Sequence, residues 1–275
     1  MKNIEIERSS ELTFLGHLEQ LRWHIIRSAI AVCACAIFAF VQYDLIFDSI
    51  ILNPKSPDFW TNQMFSHLAD LIKAPSLKIN SHPFEIINIK LSGQFATHIK
   101  VSLFAGLILA SPYIIWESWR FLKPALYDNE KRYTRGTVLY SSILFLLGVL
   151  FGYFLIVPLT VHFLGGYFVS GAVNNQINLS SYIASVTSIT FAGGIVFELP
   201  VIIYFLAKIG LVTSETLKRY RRHAYVVLLI LSAIITPPDV FSQLMICIPL
   251  VVLYELSICL SRRIAKERQK ILDDQ

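Results

Sequence analysis

The sequence predicts an all-α polytopic membrane protein with six transmembrane helices, and three observations carry this prediction. Hydrophobic residues make up 55% of the 275 residues, charged residues only 16%, and the mean hydropathy is +0.57. Soluble domains average roughly 25% charged residues. No Asp, Glu, Lys or Arg occurs over the 62 residues 136–197, which is room for two membrane spans and a turn. The basic residues cluster at alternate connections, and no alternating pattern typical of a β-barrel is visible.

The six apolar segments lie at approximately 25–43, 95–116, 137–163, 182–207, 223–236 and 240–260. We expect the fifth and sixth helices to be short, because about 14 residues rise only about 21 Å against a hydrocarbon core of about 30 Å. The first segment is expected to be a retained helix. A secretory signal begins with a basic segment, whereas this chain begins with the four acids Glu5, Glu7, Glu11 and Glu19.

The positive-inside rule orients these spans. Of the 24 basic residues, 19 fall in the N-terminal segment, the 2–3 and 4–5 loops and the C-terminal tail, and 5 fall in or beside the 1–2 connection. Both termini are therefore predicted to be cytoplasmic. The whole chain 1–275 is expected to form a single membrane domain, with a cytoplasmic interfacial helix over 1–24, an external capping loop over 44–94 and a cytoplasmic tail over 262–275.

Few residues outside the apolar pattern suggest chemistry. Glu198 is an acid inside the fourth span, and intramembrane acids commonly mark a polar pathway or partner site; the alternative is a protonated, hydrogen-bonded structural residue. The 2–3 loop carries Glu117, Asp128 and Glu130, which either bind guanidinium groups or are simply solvated. The sequence contains no Walker A, Gly-x-Ser-x-Gly or His-Glu-x-x-His motif. The sequence therefore predicts no enzyme, no cofactor and no metal site.

Four motifs, in order along the chain, resemble those of one family. They are His17-Leu18-Glu19-Gln20-Leu21-Arg22, the segment from Phe121 to Arg132 with the sequence FLKPALYDNEKR, Phe197-Glu198-Leu199-Pro200, and the segment from Thr236 to Gln243 with the sequence TPPDVFSQ. Together they are similar to the TatC family, the multi-spanning receptor subunits of the twin-arginine protein translocase. The resemblance covers nearly the whole chain, about residues 12–263.

The resemblance implies a function and a set of site residues. Members recognise the paired arginines of signal peptides on folded precursors, and the proton-motive force drives transport across the bacterial inner membrane. The expected partners are single-span TatA-type and TatB-type subunits and further copies of the chain, with no nucleic acid. The implied signal-peptide residues are Glu130, Glu19, Gln20, Arg22, Phe121, Pro124, Leu126 and Tyr127. The implied partner or intramembrane polar residues are Glu198, Pro200, Thr236, Asp239 and Gln243, with Pro54 in the first external loop.

Two features depart from the family pattern. The family usually has Glu at the position of Gln20, which would supply a second carboxylate for the arginine pair. Glu19 is adjacent, but it is expected to face another way because successive helical residues diverge by about 100°. Either Glu19 substitutes through a local turn or Glu130 carries more of the recognition. The first external loop is also longer than usual.

Two rival functions predict other features. A secondary transporter is typically built from an internal repeat with a binding site at the midplane, and no repeat is visible in the sequence. An intramembrane enzyme needs a nucleophile and base or a metal set. Solute uptake by vesicles that contain this chain alone would distinguish a transporter from a translocase subunit.

Overall fold

The computed structural model describes residues 14–73, 79–80, 85–122, 134–168, 170, 175–208, 211–235 and 240–273. Almost all of these residues are helical. The α-helices are α1 (Phe14–Val41), α2 (Trp60–Ile72), α3 (Gly93–Leu122), α4 (Thr134–Phe151), α5 (Val157–Gly166), α6 (Leu179–Phe197), α7 (Leu199–Lys208), α8 (Ser214–Arg219), α9 (Arg221–Ile235) and α10 (Val240–Asp273).

Five helical segments of the described residues are long and apolar enough to cross a membrane. They are Leu18–Val41, Gly93–Leu122, Gly136–Gly166, Leu179–Lys208 and Gln243–Arg263. This finding confirms the predicted all-α polytopic class. Helix α9 is short, as predicted, because its 15 residues rise only about 22 Å.

Helix α10 differs from the prediction of a short sixth helix. It runs without interruption for 34 residues, from Val240 to Asp273, so the apolar segment and most of the expected tail 262–275 form one helix. The apolar candidate span within it covers the 21 residues Gln243–Arg263. The reason is local: beyond residue 260 the sequence is rich in good helix formers such as Arg, Lys, Glu and Gln, and contains no Gly or Pro.

Helix α1 also differs from the prediction, which placed a separate interfacial helix over residues 1–24. From Phe14 to Val41 the chain forms a single helix of 28 residues, while residues 1–13 lie outside the described part. No Pro or Gly after Gly16 interrupts it. The helix packs along α3, where a Cβ added at Gly106 would lie 2.7 Å from the backbone nitrogen of Ala36, so the glycine permits close contact of the two helices.

In the third and fourth spans the α-helical geometry is broken at one point, while each span stays helical along its length. Between α4 and α5 the chain forms a π-helix, Gly152–Ile156, just before Pro158, which cannot donate a backbone hydrogen bond. Between α6 and α7 the helix is interrupted at Glu198, two residues before Pro200. The proline again accounts for the break.

Helices α4 and α6 are in unusually close contact. A Cβ added at Gly148 would overlap the carbonyl oxygen of Gly193, and one added at Gly193 would overlap the carbonyl oxygen of Gly148. Only glycine on both helices permits this approach. The contact fixes the third and fourth spans against each other, and it places Glu198 beside α4.

The 1–2 connection is more ordered than a simple loop. It contains a π-helix (Leu45–Ile51), a 3-10 helix (Asn53–Lys55), α2 and the two-residue strand β1 (Ile86–Ile87). Strand β1 pairs in parallel with β2 (Ile177–Asn178), and Ile86 lies opposite Ile177. The apolar spacing of residues 65–72 predicts a short amphipathic helix, and the structure has this helix, beginning five residues earlier, at Trp60.

The connection is held to the bundle by buried asparagines. Asn80 has a positive φ of 49°, and its side chain donates hydrogen bonds to the carbonyl oxygens of Pro54 (3.3 Å) and Pro158 (3.1 Å). Asn62 also donates to the Pro54 carbonyl, at 3.0 Å. Asn and Asp tolerate the left-handed region better than other residues with side chains. Asn80 therefore adopts the turn, and its side chain also attaches the connection to the third span through the Pro158 carbonyl.

Candidate functional site

A cavity of about 660 Å³ opens between α1 and the C-terminal end of α3. It is lined by Gly16, Glu19, Gln20, Trp23, His24, Arg27 and Arg120. Glu19 and Gln20 therefore face the same cavity, although the sequence placed them on different sides of a helix. Their directions do diverge along α1, but the cavity is wide enough to include both. Both residues border the cavity, and which of them meets a ligand stays a prediction.

A buried carboxylate lies beside this cavity, at Glu117. The sequence placed it in the loop after the second span, whereas α3 continues to Leu122 and leaves Glu117 only 1% exposed. Its Oε2 contacts Nδ1 of His24 across the two helices. Its Oε1 accepts a hydrogen bond from the Tyr113 hydroxyl at 3.1 Å and lies 3.9 Å from the guanidinium of Arg120.

The His24–Glu117 pair was missed by the sequence reasoning. The signal that could have found it is the helical continuation past Trp116. Glu117 then falls four residues after Tyr113, on the same face of α3, with Trp119 and Arg120 continuing the helix. Its partner, His24, is 93 residues away in the chain, and no pattern within one sequence connects two such positions.

The cavity leads to the start of the 2–3 loop. The ring of Phe121 meets the ring of His24 edge to face, with centroids 5.9 Å apart. Arg120 also lies over the Trp116 ring, 5.4 Å from its centroid. Arg22 is exposed and is not among the residues that line the cavity. The other loop residues singled out in the sequence lie outside the described residues; they are Pro124, Leu126, Tyr127 and Glu130.

The intramembrane acid Glu198 lies at the break between α6 and α7. Ser141 of α4 donates a hydrogen bond to Glu198 Oε2 at 2.5 Å, while Oε1 is buried and has no hydrogen-bond partner among the described residues. Pro200, two residues further, is half-buried. An unused polar atom at this depth is able to accept or donate one further hydrogen bond, depending on whether the carboxyl is ionised.

The last two helices are joined by polar contacts at both ends. Near one end, Gln243 donates to the carbonyl oxygen of Leu229 at 3.1 Å. Near the other, Glu255 accepts from Arg221 at 2.7 Å and from Tyr225 at 2.5 Å. Thr236 and Asp239, singled out in the sequence, lie outside the described residues.

The structure thus separates the described candidates. Gln243 contacts α9 from the start of α10, Arg22 is exposed and does not line the cavity, and the others lie in three places. Glu19, Gln20 and Phe121 lie around the α1–α3 cavity. Glu198 and Pro200 lie at the break in the fourth span. Pro54, which is buried within the 1–2 connection, is held by asparagine side chains. Among the described residues, no group of three His, Cys, Asp or Glu could hold a metal ion.

Comparisons with known proteins assign the chain to a family. The family model for the Sec-independent protein translocase protein (TatC) matches residues 16–249. A TatC protein of Blattabacterium sp. subsp. Periplaneta americana (strain BPLAN) is 39% identical over 270 residues, covering 98% of this chain and 100% of that protein. A TatC protein of Aquifex aeolicus (strain VF5) is 35% identical over 257 residues, covering 93% and 97%.

Solved structures show the same likeness in three dimensions. A crystal structure of the twin-arginine translocase receptor TatC is 35% identical in sequence, with a TM-score of 0.69 over 90% of this chain and 99% of that one. A second TatC crystal structure, in DDM, is 34% identical, with a TM-score of 0.73 over 89% and 99%. On this agreement of motifs, fold and sequence, the chain belongs to the TatC family of Sec-independent protein translocase proteins, and it is a membrane-embedded transport subunit rather than an enzyme.

Proposed function

We propose that this chain is the receptor that binds twin-arginine signal peptides of folded precursors and nucleates a translocation complex driven by the proton-motive force. The observation that carries the proposal is the α1–α3 cavity, which brings Glu19 and Gln20 together beside Phe121. Phe121 begins the FLKPALYDNEKR segment, whose Glu130 is the second carboxylate in the proposal.

The chemistry of the cavity suits a guanidinium group. A carboxylate binds a guanidinium through two parallel hydrogen bonds, which Glu19 is placed to provide, and the ring of Trp23 offers a face for a cation. Gln20 supplies an uncharged acceptor. Arg27 and Arg120 also line the cavity, so an incoming pair of arginines must be matched by more than one carboxylate.

The remaining loop residues take supporting roles in this proposal. Phe121, Pro124, Leu126 and Tyr127 form an apolar surface for the signal peptide. Arg22 belongs to the same N-terminal region but acts from outside the cavity. Glu130 meets one of the two arginines, since an uncharged Gln20 leaves Glu19 as the only acid on the cavity wall among the described residues.

Signal-peptide binding is tested by crosslinking a twin-arginine precursor to a photoreactive residue placed at 127. We expect Glu130→Ala and Glu130→Arg to abolish the crosslink while the protein still inserts into the membrane. The matched control is Glu215→Ala, which removes an exposed carboxylate from α8 and should leave crosslinking unchanged. Undiminished crosslinking in both Glu130 variants would refute the role of this residue.

The proposed topology is six spans with both termini in the cytoplasm of a bacterial inner membrane. It rests on the 19-to-5 distribution of basic residues, with α9 as the short fifth span. In a variant lacking the four native cysteines, an impermeant thiol reagent should label Asp58→Cys in intact cells and Lys270→Cys only after permeabilisation. The opposite labelling pattern would overturn the orientation.

The proposed partners are single-span subunits of TatA and TatB type, together with further copies of this chain. Glu198 Oε1 is a carboxyl oxygen that no described residue satisfies. Because it is buried, it bonds to a partner helix in this proposal only after the side chain turns outward. Interhelical hydrogen bonds in lipid contribute about 0.6–2 kcal/mol, which favours docking while leaving it reversible. Thr236, Asp239 and Gln243 belong, in this proposal, to the outer end of the last two spans near the partner site, and Pro54 belongs to the first external loop.

A further inference from the structure

Helix α2 of the 1–2 connection buries one face against the protein and leaves an apolar stripe on another face exposed. One face carries Thr61, Asn62 and Ala69, all buried against the rest of the connection and the bundle. The other carries a stripe of four residues at helical spacing: Trp60, Met64, Leu68 and Leu71. Trp60 is 63% exposed and Leu71 is 82% exposed. A row of large apolar side chains exposed to this extent is unusual unless lipid or another molecule covers it.

The position of α2 along the third span sets its depth relative to the membrane. The Thr61 hydroxyl donates to the carbonyl oxygen of Phe154, and the Trp60 ring meets the Phe154 ring edge to face, with centroids 6.2 Å apart. Phe154 follows Arg135, the last charge before the neutral stretch, by 19 residues. At 1.5 Å per residue these residues rise about 28 Å, close to the hydrocarbon thickness of about 30 Å.

The exposed stripe continues the lipid-facing surface of the third span. On α4, Ile143, Leu147 and Leu150 are exposed, and Phe154 lies four residues beyond Leu150 in the π-helix that continues α4. The next apolar group along that surface is Trp60. The stripe on α2 therefore begins where the lipid-facing side chains of α4 end.

We infer that α2 is a membrane-interface helix whose Trp60–Met64–Leu68–Leu71 stripe lies in the boundary between headgroups and acyl chains, on the membrane surface opposite Arg135. A Trp at the level of the headgroups is typical of such positions, and the polar Gln63 and His67 flank the stripe. Helix α2 itself, residues 60–72, contains no Lys or Arg, and Lys55 and Lys73 lie outside the stripe, so the contact that we infer is hydrophobic and does not require anionic lipid. The inference is independent of signal-peptide binding.

The test uses the full chain without its native cysteines, reconstituted in neutral phosphatidylcholine vesicles, with an environment-sensitive NBD label at Leu71→Cys. The control label is placed at Asp70→Cys, the neighbouring exposed residue, which points about 100° away around the helix. Two quenchers are compared: a nitroxide near the top of the lipid acyl chain, and iodide in the water. A label at Leu68→Cys repeats the measurement should the Leu71 variant fold poorly.

The expected result is blue-shifted emission from position 71, strong quenching by the lipid nitroxide and little quenching by iodide, with the reverse preference at position 70. Replacing part of the neutral lipid with anionic lipid should leave this pattern unchanged. Efficient iodide quenching at position 71 would show that the stripe faces water and would overturn the inference. Protection from both quenchers would overturn it as well, because a second copy or another protein would then cover the stripe.

Discussion

The buried pair His24–Glu117 makes the strongest energetic prediction, because it joins α1 to α3 beside the cavity. We predict that His24→Phe destabilises the protein. The phenyl ring keeps the contact with Phe121, whose centroid lies 5.9 Å from that of His24, but it removes the donor to a carboxylate that is 1% exposed. Removing one partner of a buried pair costs about 3–5 kcal/mol. Tyr113 and Arg120 still contact the carboxylate, so we expect the lower end, about 3 kcal/mol.

The design separates the hydrogen bond from the ring contact. His24→Gln keeps a side-chain donor within reach of Glu117 and loses the ring, so its expected cost is about 1 kcal/mol, the typical value of one aromatic pair. Arg221→Ala is the control, because it breaks an exposed pair with Glu255, the side chains being 44% and 35% exposed. Its expected cost is below about 1 kcal/mol.

The assay is reversible unfolding of the purified protein in detergent, followed by tryptophan fluorescence, alongside precursor crosslinking. The expected order of stability is Arg221→Ala above His24→Gln above His24→Phe. Equal stability of His24→Phe and the unmodified protein would refute the reasoning, and so would a His24→Gln variant as unstable as His24→Phe. Crosslinking should fall in His24→Phe, because the cavity wall and the start of the loop both depend on the pair.

Three further predictions concern the other sites. Gln20→Glu should tighten precursor binding in a titration, because a charge-assisted hydrogen bond is roughly twice as strong as a neutral one; unchanged affinity, together with weaker binding in Glu19→Gln, would show that Glu19 already serves. Glu198→Ala should lose co-purification of the small partner while keeping the precursor crosslink, and Glu198→Gln should keep both; equal partner recovery from Glu198→Ala would make the residue structural. Gly193→Val should strongly reduce the yield of folded protein, because its side chain overlaps the Gly148 carbonyl, whereas Gly166→Ala, with open space around it, should not; a normal yield of Gly193→Val would contradict the close packing.

The sequence predicted the class and the approximate limits of the apolar helices because bilayer thickness imposes a length on every span. Residues 136–197 were predicted to form two spans and a turn, since a stretch of that length without a charged residue suits the hydrocarbon core of a bilayer. The short α9 was predicted for the same reason. The family resemblance, carried by four local motifs, was likewise a property of the sequence, and the comparisons confirm it.

The breaks within spans were only partly visible in the sequence. Pro158 and Pro200 are visible in the sequence, but a proline alone does not decide between a kink, a π-helix and a full interruption. That choice depends on which neighbouring groups satisfy the freed backbone atoms. Around Phe154 the satisfying group is Thr61, from a helix 93 residues earlier in the chain, and only the packed bundle brings it there.

The candidate site, like the spans, was predicted only in part from the sequence. The sequence identified Glu19, Gln20 and Phe121 as candidates from local motifs, but it did not predict that Glu19 and Gln20 border one cavity, and it placed Glu117 in a loop. The first omission comes from treating one helix at a time, whereas the second comes from ending α3 at Trp116 although the helix continues to Leu122. Whether a residue lines a site depends on the partner helix that forms the opposite wall. Here α3 packs against α1, and both Glu19 and Gln20 line the cavity between them. The helices and their chemistry follow from local sequence, whereas the cavity and the His24–Glu117 pair exist only because two spans 93 residues apart pack together.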